Sequence, residues 1–177
     1  RKDAPMVAQI SFDPTNASNI NDATPQFNVG SVYKHPVTGS EYIYVQHHQG
    51  TGTVASANGA PAYWRALATA VVTADKTDNE VGATIPHGCA GVYQGVVTHL
   101  RYTWLQRTGR RTNVRLLAGA ANGAAGAKIF PPAADADSDF RAETLASIAA
   151  SEIPAQEVGI QYAVGVANLA TVLLMIK

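Results

Sequence analysis

The sequence predicts an all-β protein: a compact β-barrel or β-sandwich preceded by an extended N-terminal arm. Three observations carry this reading. Turn-forming residues recur roughly every ten positions, the rhythm of short strands joined by tight connections. Between them, several segments alternate in polarity with the period of two that a half-buried strand requires. The apolar residues, 46% of the 177, are mostly Ala and Val, with only 2 Met and 4 Phe. A helical bundle would want the opposite.

The elements follow in chain order. Residues 1–28 carry Asp13-Pro14, Asn16, Asn19, Asn21-Asp22 and Pro25 at short intervals, so they read as an arm or surface loop. Met6 to Phe12 is its one strand-like run. The compact domain is expected over 29–177. Val29, Ser31 and Tyr33 lead into the turn His35-Pro36-Val37-Thr38-Gly39-Ser40, and Tyr42, Tyr44 and Gln46 alternate with Ile43, Val45 and His47. This is a hairpin, with Gly39 at the positive-φ position of its turn. Residues 49–62 form a Gly-rich loop. Tyr63-Trp64 and Leu67 to Thr73 read as β-rich, and Val81 to Ile85 as a short strand stopped by Pro86.

The strongest β signal spans 90–117. Ala90 to Leu100 reads as one strand, bent at Gly95. Tyr102 to Arg107 reads as a second, turned at Thr108-Gly109 into a returning strand with Val114, Leu116 and Leu117. Residues 118–127 are Gly/Ala-rich. Lys128 to Phe130 is a short strand before Pro131-Pro132. Asp139 to Ser151 fits either a short helix or an extended segment. Val158–Ile160 and Leu169–Ile176 close the chain as two strands. No repeat of 20–50 residues is evident, which argues against a solenoid or propeller.

Charge narrows the function classes. Charged residues make up only 15% of the chain, and 13 Lys and Arg balance 13 Asp and Glu. That excludes a generally basic nucleic-acid binder and an acidic disordered chain. The most apolar segment, 158–176, is broken by Gln161, Gly165, Asn168 and Thr171, so no membrane span is expected. The N-terminal Arg1-Lys2-Asp3-Ala4-Pro5 lacks an apolar region after its charges, so no signal peptide is expected. A single Cys rules out an internal disulfide framework.

Candidate chemistry is sparse. His47-His48 sits on a strand, where neighbouring side chains face opposite ways and cannot chelate together; the pair reads as solvent-facing strand-end histidines. His87-Gly88-Cys89 lacks the paired cysteines of a structural zinc site and any oriented base. Asp135, Asp137 and Asp139 open like a calcium loop, but Phe140 and Ala146 stand where such a loop needs Gly and Glu. Phosphate-loop, G-x-S-x-G and H-E-x-x-H patterns are absent. The expectation is therefore no enzyme, no cofactor and no metal. Arg101, Arg107, Arg110, Arg111 and Arg115 are the one charge concentration, interleaved with Tyr102 and Trp104. Arg with aromatics suits single-stranded nucleic acid and protein hot spots alike. In a neutral chain it favours an acidic protein partner.

Four segments carry a resemblance. They are the strand pair Val29–Tyr33 and Glu41–Gln46; Glu80-Val81-Gly82-Ala83; Tyr102-Thr103-Trp104-Leu105-Gln106-Arg107-Thr108-Gly109; and the closing Val158-Gly159-Ile160 with Ala170–Leu174. Their order over 29–177 resembles the head decoration, or capsid cement, proteins of tailed bacteriophages. Thr103 departs from that pattern, which has Gly there, and 133–152 has no counterpart in it.

The resemblance implies a β-tulip-like module and a homotrimer on the outer surface of a virion, made in the host cytoplasm. It would stabilise the shell by bridging neighbouring major capsid subunits, with no nucleic-acid or membrane partner. Low charge agrees, since charged residues are depleted at interface cores. The expected interface residues are Met6, Val7, Ile10 and Phe12 of the arm, adding to a neighbour's sheet edge, together with Tyr102, Trp104, Arg107, Arg110 and Arg111. The competing reading is a carbohydrate-binding or adhesin module built on Tyr63, Trp64 and Asn58. Another virion part, such as a head fibre or tail protein, is a closer variant.

Overall fold

The computed structural model describes residues 12–50, 54–75, 78, 88–116, 125–130, 139–143, 158–163 and 169–176. Strand β1 (Val32–Lys34) and strand β2 (Glu41–His47) form the expected antiparallel hairpin, with Val32 opposite Ile43 and Lys34 opposite Glu41. Gly39 takes φ 69° in its turn. The His35 Nδ1 accepts from the Val37 and Thr38 amides, 3.2 Å each.

β2 outlasts its hairpin partner, and this builds the barrel. Beyond β1, the same edge pairs in parallel with β4 (Val71–Thr73), Gln46 opposite Val71. The other edge pairs antiparallel with β6 (Tyr102–Gln106), Tyr44 opposite Trp104. β3 (Pro61–Ala66) joins β4 to β5 (Cys89–Tyr93), and β5 returns to β6. The ring β2–β4–β3–β5–β6 is closed. A barrel of so few strands has a narrow interior. Ala60, Ala62, Ala70, Ala74 and Ala90 line it beside Val45, Val72 and Leu105. Small residues at these five positions thus have a steric cause.

The second sheet is antiparallel throughout, in the order β7 (Thr108–Arg115), β11 (Leu169–Met175), β10 (Gly159–Ala163), β8 (Lys128–Phe130), β9 (Arg141–Glu143). Its outer strands meet through a parallel bridge between Leu116 and Phe140, where the Phe140 amide donates to the Arg115 carbonyl at 2.9 Å. Its core includes Val114, Leu116, Ile129, Phe140, Val172 and Leu174, joined by Cys89 and Val92 of β5. β5 therefore serves both cores: Ala90 and Tyr93 belong to the barrel cluster.

Three expectations need correction. β6 and β7 are not a hairpin, because they belong to different sheets. The chain changes sheet at Arg107, whose amide donates to Glu41 of the barrel at 2.8 Å and whose carbonyl accepts from Ile176 at 3.1 Å. Gly109 is needed for close approach: its φ is 91°, and a Cβ there would collide with Ser40. The strand expected over 90–100 stops at Tyr93, and Leu100 takes φ 61° in the loop that follows. The run 67–73 divides into a 3-10 turn (Leu67–Thr69) and β4. Of the ambiguous stretch 139–151, Arg141–Glu143 is strand, and 144–151 lies outside the described residues. So do Val81 to Ile85, the Glu80–Ala83 segment and Leu117.

Candidate functional site

Alternation along β2 and β6 sends Ile43, Val45 and Leu105 inward and Tyr42, Tyr44 and Trp104 outward. The outward group is not left bare. Phe12 and Phe27 each place a ring centroid 5.2 Å from that of Trp104, and Tyr44 lies at 5.1 Å. The Tyr44 hydroxyl donates to Asp22 Oδ2 at 2.8 Å and accepts from the Gln26 amide at 3.1 Å. Asp22 and Tyr102 exchange backbone hydrogen bonds at 2.9 and 3.0 Å. Segment 12–27 is thus fastened along the barrel wall.

Trp104 is only 2% exposed, so it is not accessible surface of this chain. Its expected contact role is taken by intramolecular packing, since burying one indole against two phenyl rings satisfies its apolar area at home. Tyr102 is half-buried and stacks on Tyr44 with centroids 6.1 Å apart. Phe12 packs inward on the same cluster. Met6, Val7 and Ile10 lie outside the described residues.

The arginines do not form one patch. Arg101 and Arg107 sit at opposite ends of β6, and Arg107 is half-buried with its Nε unpartnered. Arg115 pairs with Asp139, Nε to Oδ1 at 2.8 Å. Arg111 donates from Nη1 to Gln94 Oε1 at 2.7 Å and from Nη2 to Asn58 Oδ1 and the Tyr93 carbonyl. All three acceptors are neutral. Burial depresses the Arg111 pKa, and the neighbouring Tyr42 opposes that shift. Arg110 is the exposed member.

The histidine pair divides as strand geometry demands. His47 is buried, against the expectation of solvent exposure, and its Nδ1 lies 2.8 Å from the Tyr93 hydroxyl. Burial, with smaller contributions from His99 and His48, pushes its pKa down to about 4. The alternation Ile43, Val45, His47 was the signal that placed it inside. His48 is 3.9 Å from Asp78, which holds Arg65 at 2.6 Å. Burial, then Arg65, lowers the His48 pKa. Among the described residues, no group of three or more His, Cys, Asp or Glu is placed to hold a metal. The buried Cys89 thiol is pushed up to about 12 by burial, so it is protonated at neutral pH and a poor nucleophile. Asp135 and Asp137 lie outside the described residues. Tyr63 is buried and Asn58 is held by Arg111, so the expected Tyr63–Trp64–Asn58 sugar platform is not assembled.

The second sheet presents the feature that sequence reasoning missed. On β11, Ala170, Val172 and Leu174 point into the core, while Leu169, Leu173 and Met175 are 37%, 44% and 37% exposed. Leu173 lies opposite Ile160 of β10 and Arg110 of β7, and Met175 lies opposite Thr108. Directly opposed residues share a sheet face. Arg110, Leu173 and Ile160 therefore form one row across three strands, beside Met175.

No family model and no curated protein matches the chain.

The signal for this face was in the sequence. Val172-Leu173-Leu174-Met175-Ile176 is apolar at both parities. Such a strand has either two covered faces or one face that docks a partner. Here one parity fills the core, and the other parity is open.

Proposed function

We propose that this chain is a structural decoration module that docks on a viral capsid and bridges neighbouring major capsid subunits as a homotrimer. The observation that carries the reading is the open apolar row Ile160–Leu173 with Met175, bordered by Arg110. An apolar centre with an Arg at its margin is the composition of a protein-docking surface. The closed barrel gives that face a rigid mount through the strand change at Arg107. The order of strands and the motif segments of the sequence supply the capsid as partner by resemblance, and low charge density suits extended protein contact.

Light scattering of the purified chain, alone and after mixing with undecorated phage-like capsids, tests this. The expected result is a mass of three chains in solution and saturable co-sedimentation with shells. A monomer that stays in the supernatant at all concentrations would overturn the proposal.

A further inference from the structure

The β1–β2 turn, Asp13, Thr15, Gln106 and β7 line an open cavity of about 450 Å³. That size is within the range of small-ligand sites. The geometry points to a binding site for an acidic saccharide: a hydroxylated ligand that carries a carboxylate.

Arg111 supplies the charge argument. It lines the cavity, and its guanidinium is held by Gln94, Asn58 and the Tyr93 carbonyl. No carboxylate pairs with it among the described residues. A half-buried cation bound only to neutral groups keeps an electrostatic demand for an anion. Tyr42 stands beside it, but burial raises the phenol's pKa, so no phenolate answers that demand at neutral pH. The polyol argument comes from the rest of the lining. Thr15, Thr38, Ser40 and Thr112 surround the same space, and each hydroxyl can both donate and accept. Asp13 also lines it. Its Oδ1 is occupied by the Thr15 amide and hydroxyl, at 2.8 and 2.7 Å, which leaves Oδ2 as an acceptor for a ligand hydroxyl. Arg110 lines the space too, so an inorganic oxyanion would find cationic groups there, but it has no hydroxyl to donate to Asp13 and is repelled by that carboxylate. A sugar acid can offer hydroxyls to Asp13 and its carboxylate to Arg111.

Isothermal titration of the full chain with a glucuronic-acid disaccharide, a matched glucose disaccharide and sodium sulfate tests the inference. The acidic disaccharide is expected to bind saturably, with the neutral one at least about tenfold weaker, the loss typical of one charge-assisted hydrogen bond. Sulfate should compete poorly. Arg111→Gln should abolish the preference for the acid. Because that change also touches internal bonds, Thr112→Val, on the exposed side of β7, serves as second variant. It should weaken binding several-fold at unchanged Tm. No saturable binding, equal binding of the two disaccharides, or sulfate competing as well as the acid would each overturn the inference. None of these readouts involves capsids, so failure here leaves the docking proposal standing, and the reverse also holds.

Discussion

The barrel and the second sheet handle their outer faces in opposite ways. On the β2–β6 wall of the barrel, outward-pointing Tyr42, Tyr44 and Trp104 are covered by Phe12, Phe27 and Tyr33. On the second sheet, Leu169, Leu173 and Met175 are uncovered. Both regions place large apolar side chains on the outer side of a strand, away from the core of their own sheet. Among the described residues, only the barrel wall has a chain segment laid over it. Aromatic composition alone therefore does not mark an interaction surface; what marks it is apolar area that the chain's own segments leave open.

Ways to break the comparison can be ordered by size. Trp104→Ala should cost about 3–5 kcal/mol, the usual range for emptying a packed aromatic site. It should also release segment 12–27, read as faster amide exchange at Asp22 and Gln26 along with a lower denaturation midpoint. Unchanged stability would mean that the aromatic cover is dispensable.

The barrel interior predicts the next effect. His47 binds a proton less readily when folded, at about 4, than at its ordinary 6.5. The unfolded chain therefore holds more protons between those values. The contribution of neutral His47 is complete above pH 6.5, is lost as pH falls toward 4, and amounts to roughly 3 kcal/mol over that window. Denaturant midpoints measured from pH 7 to 4 should fall accordingly. His47→Gln should flatten the slope, though it costs stability at pH 7 by disturbing the bond to Tyr93.

Smaller still, Asp139→Asn removes the partner of Arg115 at the bridge that joins the outer strands of the second sheet. Both side chains are partly exposed, 37% and 19%, so the loss should be no more than about 1 kcal/mol. A loss several times larger would show that the bridge depends on this ion pair.

Legibility in the sequence followed the range of the interactions. The β1–β2 hairpin, β8 and the β10–β11 pair were readable, because alternation and local turn residues determine them. The change of sheet at Arg107 was not. Thr108-Gly109 has good hairpin chemistry, yet Arg110 pairs with Leu173 rather than with β6, a choice made by contacts some sixty residues away that no local signal carries. The doublet His47-His48 suggests a strand end in solvent, whereas the period-two row Ile43, Val45, His47 puts His47 inside. Leu173 has no local signal of its own, because a strand apolar at both parities has the same sequence pattern whether one face or two are covered. Of the expected interface residues that are described, Arg110 alone borders that face; Met6, Val7 and Ile10 of the arm lie outside the described residues.

The most direct test of the central claim is Leu173→Glu, read both by thermal denaturation and by co-sedimentation with undecorated capsids. The new carboxylate would stand opposite Arg110, so stability should change by no more than about 1 kcal/mol. Shell binding should be lost, because a charge would be buried at the centre of the docking row. Undiminished binding by a fully folded variant would contradict the account and remove the β11 face from the interaction.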